Sequence, residues 1–185
     1  MKNLKKAVLI DLGQFNAPSL PDVELSWHNH GAGLLVTVCR RKNLPIDFIG
    51  LKYLSGWDEF RDKVKGYGMV AISMMSSDYP QAMKAIDIVK ELNPKTKIVI
   101  GGIHATVAPD ELRRNKKIDY IFFGEGEITF PKFLKNPKKF QREIKGEPVS
   151  DLDKLPFLDR TIYPHPVENN VPSWGDSPMA TFLTA

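Results

Sequence analysis

Cysteine is nearly missing from this chain of 185 residues: Cys39 stands alone, so no internal disulfide and no cysteine cage for a metal can form from it. Long apolar runs are missing as well, and none approaches the roughly 20 residues of a membrane-spanning helix. The opening MKNLKKAVLI has the basic head of a signal peptide, but AVLI is short and Asp11 ends it at once, which reads as a strand. The expected location is therefore cytoplasmic, with no membrane partner. Charge of one sign does not dominate either: 26 Lys and Arg face 22 Asp and Glu, a net +4. The basic stretches RRNKK (113–117) and KFLKNPKKFQREIK (132–145) lack interleaved exposed aromatics on an obvious platform, so they read as solvated surface and not as a nucleic-acid interface. Hydrophobic residues at 42% and charged residues at 26% suit one good core, with length left for a linker or small annex.

Five short apolar runs carry that core: AVLID (7–11), IDFIGL (46–51), MVAIS (69–73), KIVIG (97–101) and YIFFG (120–124). They are rich in Ile, Val and Phe without strict alternation, as strands covered on both faces are. Helical patterns separate them. GAGLLVTVCRRKN (31–43) reads as the first helix with Leu34, Leu35 and Val38 inward, and WDEFRDKVK (57–65) as a short second. DYPQAMKAIDIVKELNP follows, with Asp78 as cap, Pro80 in the first turn, Ala82, Ile86 and Val89 on one face and Pro94 as terminator. A last helix begins at Pro109, Asp110 and Glu111. This alternation predicts an α/β fold: a flavodoxin-like (Rossmann-type) doubly wound parallel sheet of five strands in the order 2-1-3-4-5. Beyond Gly146 the composition shifts. Six of the 14 prolines fall between Pro148 and Pro178, so residues 1–146 are expected to form the domain and 147–185 an extended linker.

In such a sheet, ligands bind outside the carboxyl ends of the strands, near the reversal of strand order. The loops there are DLGQFNAPSLPD, SMMSSDYP, GGIHATV and GEGEITF. They supply Gly13, Gly101, Gly102, Gly124 and Gly126, with Ser73, Ser76, Ser77, His104 and Thr106. Small residues and hydroxyls dominate and no nucleophile–base pair is evident, which is the profile of a groove for a large ligand and not of a hydrolytic site.

GGIHAT after a strand, then DYIFFGEGEITF, then DLDKLPFLDR leading to PMATFLTA, resembles the N-terminal cobalamin (vitamin B12)-binding domain of a radical S-adenosylmethionine protein, over nearly the whole chain. The resemblance implies a corrin ring over the carboxyl edge and a nucleotide tail in a slot beside the strand-order reversal. It implies cofactor contacts from Leu12, Gly13 and Gln14 after the first strand, and from Ser73, Met74, Met75 and Ser76 after the third. It adds Gly101, Gly102, Ile103 and His104 after the fourth, and Gly124, Glu125 and Gly126 after the fifth. Gly101 and Gly102 would make room for the tail, Ser73 would hydrogen-bond it, and Met74 and Met75 would offer a soft wall. Against the pattern Asp-x-His-x-x-Gly, Asp11 fits, but Gly13 stands at the histidine position and Asn16 at the glycine position. Base-off cobalamin with no axial histidine from this chain is the expected cofactor. The Cys-x-x-x-Cys-x-x-Cys motif that holds an iron–sulfur cluster in such enzymes is missing too. The cluster, S-adenosylmethionine and catalysis, methyl transfer for example, are therefore expected in a missing radical SAM domain of the same parent chain, and not in this fragment.

Blander readings stand beside these. The glycine pair can be a tight turn, and His104 a structural or solvent-facing residue. His28 and His30 are two apart but have no third ligand. Glu125 and Glu127 sit where a helix starts and favour its dipole, and Cys39 reads as a buried apolar filler. The competing function is a degenerate, cofactor-free interaction domain of the same fold. A phosphorelay receiver needs an aspartate where Ser73 stands, and a flavodoxin needs a better phosphate loop than DLGQFNAPSL.

Overall fold

A computed structural model describes residues 6–13, 15 and 29–163. Its centre is a sheet in which every strand pairs in parallel: β1 (Ala7–Asp11), β2 (Ile46–Gly50), β3 (Met69–Ser73), β4 (Lys97–Gly101), β5 (Tyr120–Phe123) and β6 (Glu143–Lys145). The order is 2-1-3-4-5-6. The five expected strands thus stand in the expected order, and the correction is a sixth strand beyond β5. Only Ile144 of β6 is buried, between the exposed Glu143 and Lys145, so the segment carries no apolar run to betray it. Short, charged strands are how sheets protect an edge from further pairing. Here Arg113 also donates from Nε and Nη2 to the two oxygens of Glu143, 3.0 Å each.

Side chains alternate across each strand. Val8, Ile10, Val70, Ile72, Ile98 and Ile100 face α2 (Trp57–Lys63), α3 (Tyr79–Leu92), α4 (Ile103–Val107) and α5 (Pro109–Arg114). Leu9, Ala71, Val99 and Phe122 face α1 (His30–Arg41) and α6 (Thr129–Lys135). The helix expected to begin at Pro109 does so, and α4 precedes it where a loop was expected; the two are separated at Ala108, because Pro109 disfavours helical geometry in the residue before it. In α1 Ala32, Val36, Val38 and Cys39 are buried and Leu35 packs against the core of this face, so of the expected inward residues Leu35 and Val38 hold their place and Leu34 is only half-buried. Asp78 also acts differently from its expected role: its carboxylate accepts from Met75 N at 2.8 Å, closing the turn before α3.

Residues 147–163 run back across α1. Asp159 N donates to Thr37 Oγ1 at 3.1 Å and Tyr163 Oη to Asn29 O at 3.0 Å. The crossing is possible because α1 carries Gly33, where a Cβ would lie 2.1 Å from Tyr163 Oη. Ile162 and Tyr163 join the core on that face. The chain end PMATFLTA lies outside the described residues.

At the amino end of the sheet, Asp119 ties β4, β5 and α3 together. It accepts from Lys97 Nζ at 2.6 Å, Lys90 Nζ at 2.9 Å and Ile98 N at 3.0 Å. Burial opposes its ionisation, but these donors outweigh that and hold its pKa below the usual carboxylate value. Asp119→Ala should lower unfolding stability by about 2 kcal/mol near neutral pH. Because the folded pKa is depressed, the difference from wild type should fade as pH falls below about 4, read by urea titration across pH.

Candidate functional site

The parallel register sets Asp11 beside Ser73 and Ser73 beside Gly101, one row across the carboxyl ends of β1, β3 and β4. These positions fall on the α1–α6 face, two residues on from Leu9, Ala71 and Val99. Lower on that face Ile46, Met69, Val36, Cys39 and Phe133 fill the space to the helices. At the upper end the residues are Ala71, Ser73 and Gly101, too short to reach α1 and α6. A cavity of about 190 Å³ remains. Its walls are Asn29, Gly31, Ala32 and Leu35 at the start of α1, Phe122 on β5, and Gly124–Glu127 with Phe130 of α6. No Lys, Arg or His is among the described lining residues.

The sequence reading gave Gly101 and Gly102 one cause; the structure separates them. A Cβ at Gly101 would meet Phe122 Cβ at an ordinary 3.5 Å, so the missing side chain serves only to keep the cavity open. Gly102 has φ +91°, and a Cβ there would lie 2.6 Å from Met74 O and 2.7 Å from Met74 N. The backbones of the β3 and β4 loops are stitched at this point: Met74 N donates to Gly101 O and His104 N to Met74 O. Gly102 is therefore demanded by the protein's own packing, although it also borders the cavity.

Of the site residues read from the sequence, Ser73, Gly101, Gly102, Gly124, Glu125 and Gly126 come together around this cavity. Ser73 makes no side-chain hydrogen bond with a described residue. Gly124 has φ +72° and donates its N–H to Thr106 Oγ1, while Glu125 Oε2 accepts from Val149 N and so anchors the returning segment. Gly126 packs under Leu35, whose methyl would stand 3.2 Å from a Cβ there. The others lie elsewhere. Leu12 and Met74 are buried in the core of the opposite face, Gly13 borders open space, and Met75 and Ile103 are exposed on the upper rim with Val107. His104 is buried, its Nδ1 2.9 Å from Ser76 Oγ and its ring beside Tyr79, so it points away from the cavity and is not solvent-facing. Gln14, Asn16 and His28 lie outside the described residues.

Asp11 is the buried charge of the site. Its Oδ1 accepts from Asn29 Nδ2 at 2.6 Å. The same Asn29 caps α1, its Oδ1 accepting from Ala32 N at 3.0 Å. Burial raises the Asp11 carboxyl to about 6, against the Asn29 bond and the charge of Lys52. Asn29, Leu35, Ala71, Val99, Phe122, Glu127 and Phe130 line the cavity without having been singled out as site residues. Two signals in the sequence point to three of them. Period-two counting from Ser73 and Gly101 reaches Ala71 and Val99, and an Asn before GAGLL is a helix-cap pattern.

A family model described as the B12 binding domain matches residues 20–134, more than half of the chain. The chain belongs to that family. It is also similar to an uncharacterized methyltransferase of Pyrococcus horikoshii, 34% identical over 79 residues, or 42% of this chain. The match spans only 17% of that relative's length. Among the described residues of this B12-binding domain no group of three His, Cys, Asp or Glu could hold a metal ion, and no helix is long and apolar enough to cross a membrane.

The pH dependence of Asp11 has a definite sign. With a folded pKa near 6 and an unfolded one near 4, the folded state keeps a proton that the unfolded state has lost. Stability should therefore fall by up to about 3 kcal/mol as pH rises from about 4 to about 6.5, then level off. Asp11→Asn should lack that slope and gain on wild type above pH ~6, as measured by urea unfolding at several pH values.

Proposed function

We propose that this B12-binding domain holds cobalamin by its nucleotide tail, for a reaction carried out by a radical S-adenosylmethionine domain of a larger protein. The observation that carries the reading is the cavity at the carboxyl edge, beside the strand-order reversal between β1 and β3. At about 190 Å³ it is too small for a whole large ligand, since pockets for drug-sized molecules run from about 300 Å³ upward. It suits one appendage of such a ligand, a base with its sugar. The residues fit such a group: an apolar floor and walls, small residues at the mouth, and a hydroxyl at Ser73 that no described residue engages.

The chain's own task is positioning. Leu9, Ala71, Val99 and Phe122 would form the floor beneath the base with Leu35 and Phe130 opposite, Ser73 would hydrogen-bond it or its sugar, and Gly101 would let it pass. Exposed Met75, Ile103 and Val107 on the rim give an apolar bed for the ring. Cobalamin would supply a cobalt centre able to carry a methyl group or an electron. With Gly13 where the axial histidine would stand, the hold on the ligand would come from the tail and rim, with no cobalt bond from this loop. Support for the methyl-transfer context comes from the Pyrococcus horikoshii relative, and for the radical context from the motif order GGIHAT, GEGEITF and DLDKLPFLDR.

The alternative, a cofactor-free domain of the same fold, requires the groove to be filled by the protein, and no described side chain fills it. Hydroxocobalamin mixed with the purified chain and desalted should leave a corrinoid absorbance band with the protein; an empty protein would reject the reading. Gly101→Leu extends a side chain into the cavity from a position with no unusual backbone angle. It should weaken cobalamin binding at least tenfold with little change in thermal midpoint.

A further inference from the structure

Besides the Ser73 hydroxyl, a second polar group that no described residue engages borders the cavity. Glu127 lines it, and its Oε2 is fully enclosed yet accepts no hydrogen bond from any described residue. Its neighbour in sequence behaves differently, since Glu125 is spent on Val149 N. An enclosed carboxyl oxygen without a donor is costly, and such an atom in a native structure calls for a partner that the described residues do not supply. Packing fixes the stretch that carries it: Gly126 is pressed under Leu35, and Phe130 N donates to Gly126 O at 2.8 Å as α6 begins. The side chain is thus set on a rigid wall between two anchored points.

We infer that Glu127 is a specificity-determining residue of the cavity, accepting a hydrogen bond from a hydroxyl or N–H group on the buried part of the ligand. This deepens the cobalamin reading and rests on it. The lining explains the sign of the preference. Among the described residues two carboxyl side chains and no cationic one border the cavity, so a phosphate inside it would meet like charge with no cation to offset it. A neutral, donor-bearing group meets Glu127 with its lone pairs free. The ligand should therefore enter with its sugar and base, its phosphate remaining outside. Two parts of a corrinoid tail offer such donors: the sugar hydroxyls, common to all complete cobamides, and an exocyclic amine on the base, present with adenine and absent from dimethylbenzimidazole.

The test compares wild type, Glu127→Ala and Glu127→Gln in titrations with three corrinoids. These are hydroxocobalamin, the adenine-bearing cobamide, and cobinamide, which lacks sugar and base. Wild type should bind cobalamin more tightly than cobinamide. Glu127→Ala should weaken binding of a complete cobamide about tenfold or more and leave cobinamide unchanged. Glu127→Gln keeps an acceptor oxygen and should recover most of the loss. A loss for both complete cobamides assigns the donor to the sugar; a loss for the adenine form alone assigns it to the base. Equal binding of complete cobamides by wild type and Glu127→Ala overturns the role of Glu127 while leaving the cobalamin reading intact. A parallel loss for cobinamide, or a lowered thermal midpoint that Glu127→Gln fails to restore, also overturns it, by showing a structural role. Failure of the wild type to bind any corrinoid, or equal affinity for cobinamide and cobalamin, removes both.

Discussion

The site depends on a mismatch of side-chain length along one face of the sheet. Helices α1 and α6 lie across that face at a spacing set by the bulky layer beneath, where Val36, Cys39, Met69 and Phe133 meet. Protein interiors pack at nearly crystalline density, so helices held apart by large side chains cannot sag onto small ones a turn away. The row that follows, Ala71, Ser73 and Gly101, is too short to close the gap. The cavity is thus a consequence of rigid packing below it, and it needs no strained backbone of its own.

Keeping such a gap open requires its lip to be fixed, and three separate tethers do so. Asn29 is gripped by Asp11 on one side and by the first amides of α1 on the other. Tyr163 donates to the carbonyl of the same residue from the returning segment. Glu125 holds Val149 on the opposite lip, while Gly146 admits the carbonyl of Glu125 so closely that a Cβ there would lie 1.7 Å from it. The segment 147–163 therefore acts on the site without lining it. It braces both α1 and the loop after β5, and its glycine contacts at Gly33 and Gly146 are the points where any side chain would lever it away.

Much of this was legible in the sequence because the signals were local and strong. Ile- and Val-rich runs ending in Ser73, Gly101 or Gly124 read directly as buried parallel strands with an open carboxyl edge, and the strand order follows from the rules for crossover connections. What escaped depended on partners distant in the chain. Ile144 alone, between two charged residues, becomes a strand only because β5 offers an edge to pair with. Ala32 and Val36 take inward positions beside Leu35 because close approach of α1 to the sheet favours small and β-branched residues there. His104 looks like a ligand at a loop tip, yet its neighbour Gly102 draws it under the β3 loop, where Ser76 takes its Nδ1. Glu127 resembles an ordinary helix-start acid until the wall around its carboxyl is seen.

Asp11 has a role here that does not need the missing histidine. Its place at the end of β1 fits the family pattern, in which the acid precedes an imidazole by two residues, yet Gly13 offers nothing to orient. The carboxyl instead holds the amide of Asn29, and so the start of α1. A buried carboxyl whose pKa is raised to about 6 is a burden on stability at neutral pH, and a glutamine or asparagine could hold Asn29 without it. What the carboxyl adds is two acceptor oxygens and no donor, so the Asn29 amide must present Nδ2 inward and Oδ1 to Ala32 N. The acid thereby sets the amide's orientation as well as its position. Because Asn29 borders the cavity, Asp11 defines which polar face the cavity meets at that wall while remaining outside the lining itself.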